Sequence, residues 1–448
     1  MLLRRFFASV LVLLLATFPA WAERGRPNLN IIRDGEIESM LRDMATPVFQ
    51  QAGIPPESVH IVLVQNNAIN AFVAGGMNMF IYTGLLREAK TPDELIGVIA
   101  HETGHIAGGH LVRADEAMSN ASATAILATL AGVAAAVGSR DGQAGAAAVS
   151  LGQQMAQRSF LQYSRTQESS ADQAALRYLD GAHMSAGGMH DFLQRLQDQE
   201  LLPESQQVEF VRTHPLTRDR VEAVGAHLAS QTNAQPLPSG TIEQFARMRA
   251  KLDGFLEPRP TLQRITASDT SFTGRYARAI ALHQTGDTQG ALALIEQLLA
   301  TEPNNPWLHE LKGQVLYESG KAAESVAPYR KAVTLSDGNA LLRIGLAQAL
   351  LETRHDSDLK EAADQLEAAK STEKRSPMLW RLLATAYGRQ DNIGMAAYAL
   401  SEEALNRGDK PVAIQQAKRA QELLPNGSPG WLRAGDVLAD AERKTEED

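Results

Sequence analysis

The 448 residues contain no cysteine. That excludes disulfides, thiolate metal ligands, a cysteine nucleophile and a lipidated N-terminal Cys. Positive charge is also short: 43 Lys and Arg stand against 52 Asp and Glu, a formal charge of −9. A broad basic surface for nucleic acid is therefore not expected. A long apolar run near the N-terminus is missing too. Phe6 to Phe18 falls short of the roughly 20 residues that span a bilayer. Arg4 and Arg5 precede this run and Ala20-Trp21-Ala22 follows it. Residues 1–22 thus read as a cleaved secretory signal rather than an anchor. The style is that of general bacterial export. The expected destination is the periplasm, where a chain without cysteine needs no oxidative folding.

What is present has the composition of a globular protein, 44% hydrophobic and 21% charged, and the length suits two or three domains. Residues 23–235 are mixed in texture. Residues 236–265 hold Pro236, Pro238, Gly240, Pro258 and Pro260 and read as a linker. One short helix is expected in it, capped by Thr241 with Gln244 and running to about Leu252. Residues 266–448 are rich in Ala and Leu with helical periodicity. Gly286 and Gly320 lie 34 residues apart, Tyr276 and Ala279 answer to Glu310 and Gly313, and Ala362 answers to Ala396. Gly408, Ala413, Ala420 and Pro425 repeat the end of the pattern. This resembles the tetratricopeptide repeat, in about four units with irregular spacing near His355. Stacked units make a superhelix with a concave binding face. The alternative is a helical bundle without repeats.

In the first region a helix is expected from Asp34 to Ala52. Val59–Val64, Ala71–Val73 and Met77–Thr83 read as strands, the last two joined at Gly75-Gly76, so a small sheet is implied. Thr91-Pro92-Asp93-Glu94 is a helix start with Thr91 as N-cap, Pro92 at the first helical position and Glu94 closing a capping box. The helix should run to about Arg113. Residues 121–152 are mostly small and apolar. They read either as two close-packed core helices or as a hairpin that touches a membrane or lines a cleft.

Inside the helix that begins at Thr91 lies His101-Glu102-Thr103-Gly104-His105. Two His at i and i+4 share one helix face, so both imidazoles can reach one zinc ion. Glu102 then points at the open coordination position and can act as general base toward water. Glu168 is the best candidate for a third ligand, on a helix running to about Leu179. Asp172 sits one turn on, where it would bond the free ring nitrogen of His101 or His105. The plainer reading of Glu168 and Asp172 is a solvated acidic face with Arg165.

The H-E-x-x-H helix followed some sixty residues later by E-x-x-x-D resembles the M48 family of zinc metallopeptidases. Asn70–Gly76, Gly84-Leu85-Leu86 and Thr213-His214-Pro215 through Arg220 resemble further segments of that family. The resemblance implies a mainly α chain: a zincin-like peptidase domain with a small β-sheet, then a tetratricopeptide superhelix. It implies one zinc per chain on His101, His105 and Glu168, with Glu102 and Asp172 as the catalytic carboxylates, Asp172 acting from behind the ligands. His214 matches a histidine that approaches the zinc on a mobile loop and holds the enzyme latent. Arg220 would orient that loop or an oxyanion. A polypeptide would pair with the strand Ala74–Ile81, through Ala74, Gly75, Gly76 and Met77. The implied substrates are unfolded or misfolded outer-membrane β-barrel proteins, and the repeats would engage their assembly machinery, with peripheral membrane contact open. An assembly chaperone or adaptor with a latent protease site is the competing reading. A membrane-embedded protease would need several spanning helices, and hydrolysis of a non-peptide substrate has no motif. Of the other histidines, His110 reads as a helix-end residue. His60, His183 and His190 have no motif context, and His227, His283, His309 and His355 read as structural or solvent-facing.

Overall fold

The computed structural model describes residues 29–110, 164–353 and 355–443. The expected signal segment and the stretch 121–152 lie outside these residues. No described helix is long and apolar enough to cross a membrane.

Four strands form one sheet: β1 (Ile31–Ile32), β2 (His60–Val64), β3 (Ala71–Ala74) and β4 (Asn78–Tyr82), in the order β1-β2-β4-β3. β2 and β4 run parallel, whereas the β1–β2 and β3–β4 pairs are antiparallel. One face carries Ile61, Leu63, Val73, Met79 and Ile81, all buried. The period of two that puts apolar residues on one face is the reason these segments read as strands. Gly75 and Gly76 take φ of 56° and 92°, and the Asn78 amide donates to the Gly75 carbonyl at 2.7 Å, which closes the β3–β4 hairpin. Among the described residues β3 is an edge and β4 is interior. The expected single strand Ala74–Ile81 is thus corrected. Ala74 ends the edge strand, Gly75, Gly76 and Met77 form the turn, and residues beyond it already have partners on both sides.

Against the buried face pack two helices. The Gly35–Gln51 helix is capped by Asp34, whose side chain accepts from Ile37 N, and it buries Ile37, Leu41, Met44, Val48 and Phe49. The motif helix Pro92–Ala107 starts as read, with the Thr91 hydroxyl accepting from Glu94 N. Glu94 reaches back to Lys90 N instead of Thr91 N, and also takes Arg195 at 2.7 Å. The helix stops at Ala107, short of Arg113, because Gly108 and Gly109 follow and Gly109 has φ 62°. It is buried nearly all round, from Leu95 to His105. A helix covering 164–181 crosses it at Gly104, where a Cβ would lie 2.7 Å from the Ala171 carbonyl oxygen. The Gly187–Leu196 helix crosses it at Gly97, 2.8 Å from Met189 Cα by the same measure.

The expected linker is a packed element. Its helix is Ser239–Leu256, longer than expected, and begins behind Pro238 without a side-chain cap. Thr241 lies in its first turn, and Gln244 bonds Asp43. Phe245, Met248 and Leu252 enter the peptidase-side core, while Ala250 enters the core of the first repeat. From Phe272 to Glu442 ten helices follow one another, each packed on the next. The second helix of the third pair, Asp356–Glu373, has 18 residues against 14 in the first two pairs, which accounts for the broken spacing near His355. Gly286, Gly320 and Gly408 sit at positive-φ turns. Counting pairs from Phe272, Gly408 falls between pairs, so the 34-residue pattern resumes one helix out of step.

Candidate metal centre

The two histidines of the motif helix face the same way, as their spacing requires: His101 Nε2 and His105 Nε2 are 3.1 Å apart. The helix 164–181 brings Glu168 to them, with Oε2 at 3.2 Å from His101 Nε2 and Oε1 at 3.3 Å from His105 Nε2. The turn between Glu209–Thr213 and Arg218–Ser230 adds His214, whose Nδ1 lies 3.4 Å from His101 Nε2 and 3.3 Å from Glu168 Oε2. All four residues are buried. Ligand atoms about 2.0–2.1 Å from one ion in a tetrahedron stand roughly 3.3–3.4 Å from each other. The separations of 3.1–3.4 Å stand close to that figure, so three imidazoles and one carboxylate fit a single zinc-sized ion.

Each ligand is held from behind. His101 Nδ1 meets Asp172 Oδ1 at 2.9 Å, one helical turn past Glu168. His105 Nδ1 meets His110 Nδ1 at 3.0 Å. His214 Nε2 donates to the Ala71 carbonyl at 3.1 Å. Arg220 donates to Asp172 through Nε at 2.6 Å and Nη2 at 2.9 Å, to Glu168 Oε2 at 2.9 Å and to the Pro215 carbonyl at 2.8 Å. Its guanidinium therefore ties the ligand helix to the His214 turn. It is buried behind the carboxylates, so the expected oxyanion contact finds no support and the loop contact does. Asp172 likewise lies behind the cluster, bonded to His101 and Arg220, where a positioning role fits it better than a catalytic one.

Glu102 is fully buried, and neither carboxylate oxygen has a hydrogen-bond partner among the described residues. His214 Nε2 lies 3.4 Å from its Oε1. Burial raises its pKa, with His214 and His101 pulling the other way. Burial also pushes His105 down to about 4, against its bond to Glu168. For His101 burial is outweighed by Asp172 and Glu168, which hold it up at about 10. Glu168 stays well below the usual carboxylate range: burial would raise it, but His214, His101 and His105 prevail.

The pattern of ligands and backing groups can be set beside known proteins. The profile of peptidase family M48 matches residues 32–227. The chain carries an M48 peptidase domain. A tetratricopeptide-repeat profile matches residues 272–315. Along most of its length the chain is similar to the β-barrel assembly-enhancing protease of Yersinia pestis, 26% identical over 410 residues, covering 90% of this chain and 83% of that one. The protein of the same description from Escherichia coli K12 is 25% identical over 409 residues, covering 89% and 82%. Among solved structures, a tetratricopeptide protein described as having an unusual peptide-binding site covers 39% of this chain and 91% of its own, at 17% identity and a TM-score of 0.32.

The M48 domain thus brings together His101, Glu102, His105, Glu168, Asp172, His214 and Arg220. Ala74 and the Gly75–Met77 turn lie on the sheet outside this cluster. The sequence reading missed His110, and the signal for it was the Gly-Gly pair that ends the motif helix just before it. It also missed the Ala71 carbonyl, a backbone group that no side-chain pattern announces.

Proposed function

We propose that this chain is a periplasmic zinc endopeptidase, held latent by His214, that acts on unfolded outer-membrane β-barrel proteins. The observation that supports it best is the fourfold ligand cluster beside a buried carboxylate without a hydrogen bond. Zinc, when bound there, supplies a Lewis acid that polarises a carbonyl and makes water acidic. The chain's own residues do the rest. Asp172 accepts the Nδ1 proton of His101 and so presents the Nε2 lone pair inward. Glu102 would take a proton from the attacking water and pass it to the leaving amine. Its raised affinity for protons in a dry site suits that shuttle.

The client backbone would pair with β3. Tyr82 N donates to the Asn70 carbonyl, so Asn70, Phe72 and Ala74 turn their pairing groups to β4. Ala71 and Val73 turn theirs to the open side. Recognition of that kind reads main chain more than side chain. The names of the relatives support the client class and an outer-membrane setting, and the repeats would recruit clients or the assembly machinery. The test is cleavage of an unfolded β-barrel protein by the zinc-loaded chain, with Glu102→Gln as the blank. Turnover above the blank is expected, and equal rates would remove the peptidase reading.

One observation favours the chaperone reading. His214 Nδ1 would take the fourth ligand corner, while its Nε2 donates to the outward Ala71 carbonyl of the edge strand. With both places taken, the site would be silent until the turn moves. His214→Ala should raise cleavage several-fold if the histidine is a latch. A fall would assign it to catalysis instead.

A further inference from the structure

His110 is a buried histidine beside the cluster that no ligand role uses. On an unbroken helix it would sit about 140° round from His105 and could not face it. The helix ends at Ala107, and the chain turns through Gly109 in the left-handed region. The His110 ring then folds back over the last turn. Gly108 makes room for it: a Cβ there would lie 2.3 Å from His110 Nε2 and 2.6 Å from its Cδ2. The two rings meet edge to face, with centroids 4.9 Å apart and planes at 86°. Their Nδ1 atoms are 3.0 Å apart.

A 3.0 Å contact between two ring nitrogens needs one proton between them. If His105 Nε2 faces the ion, that nitrogen must offer a lone pair, so the proton of neutral His105 is on Nδ1. His110 Nδ1 is then the acceptor, and its own proton is on Nε2. We infer that His110 is a positioning residue of the metal site, whose Nδ1 fixes the tautomer and ring angle of His105. This rests on the reading of His101, His105 and Glu168 as zinc ligands. It also explains the sequence Gly108-Gly109-His110 as one device, in which one glycine gives the turn and the other the room. The two motif histidines are thereby made unequal. His101 is backed by a carboxylate and His105 by a neutral ring, which returns less electron density to its partner.

Asn and Leu have nearly the same shape, and only Asn places an acceptor where His Nδ1 stands. The experiment is zinc affinity of the full chain by chelator competition, for wild type, His110→Asn, His110→Leu and Gly108→Ala, with thermal melting as a check on folding. Loss of an outer partner of a metal-bound histidine costs roughly 10–100-fold in affinity. His110→Leu is expected to weaken zinc by that factor, His110→Asn to recover most of it, and Gly108→Ala to resemble Leu because the ring is displaced. A folded Leu variant that binds zinc like wild type overturns the inference, as do Asn and Leu variants with equal losses. If Leu does not fold, Gly108→Ala against wild type decides by the same criterion. Zinc binding that survives His101→Ala with His105→Ala in an otherwise unchanged chain overturns the underlying site as well, and is distinguishable from failure at His110 alone.

Discussion

Arg220 shows how much one side chain can be asked to do. Its guanidinium satisfies two buried carboxylates and a backbone carbonyl at once. Truncating one partner of such a network leaves charge unpaired in low dielectric, at a cost of about 3–5 kcal/mol. Arg220→Met should therefore lower the unfolding free energy by that order in metal-free protein. The loss should be smaller with zinc present, since a cation then compensates Glu168. Denaturant titrations in the two states would check it, and equal losses would count against a shared metal site. At this scale the sequence was legible where spacing alone decides geometry. His101 and His105 face one way because four residues make about one turn. Glu168 and Asp172 share a face for the same reason. His110 was not legible, because its position depends on where the helix breaks and how the chain turns back.

Among elements, the sheet is the instructive case. Three strands could be read from alternation and from the Gly75-Gly76 turn. Alternation could not say which of them lies at the edge, since that depends on the parallel pairing of β2 with β4 across an intervening segment; only the family resemblance of Asn70–Gly76 pointed there. Once β3 is known to be the edge, a sharp test is available. Val73 points its N–H away from β4, so proline there removes no ladder bond. Val73→Pro should leave the melting temperature within a few degrees of wild type. It should reduce cleavage of an unfolded client about tenfold by removing a donor from the pairing edge. A variant as active as wild type would place the client elsewhere. The connecting helix was legible from its Thr241 start within a segment of five Pro and Gly residues, but its burial was not, although Phe245, Met248 and Leu252 are apolar at helical spacing.

Across the whole molecule, the repeats hold the start of the M48 domain. Arg33 pairs with Glu373 at 2.6 and 2.7 Å. Tyr276 donates to Glu36 at 2.6 Å. Lys251, from the connecting helix, is buried at 2.9 Å from Asp34, 3.0 Å from Glu36 and 3.7 Å from Glu310. Three carboxylates share one ammonium. Burial pushes Glu310 up to about 7, with Asp34 and Glu36 adding to it against the pull of Lys251. A carboxyl that is harder to ionise when folded costs stability as pH rises from its unfolded value, near 4.5, through 7. Glu310→Gln should thus melt higher than wild type at pH 8 and nearly with it at pH 4.5. Scanning calorimetry across that range would show a constant difference if the carboxyl does not titrate there. The periodicity that revealed repeats could not reveal this junction, because its members are 34, 36, 251, 276 and 310 in a chain read one segment at a time. The same junction bears on how the chain comes apart. Heat cannot melt the array without stranding Lys251 and the cap of the first helix, so the two halves should unfold in a single cooperative transition. A protease nick near residue 265 would then weaken both halves together, as pulling a keystone loosens both limbs of an arch.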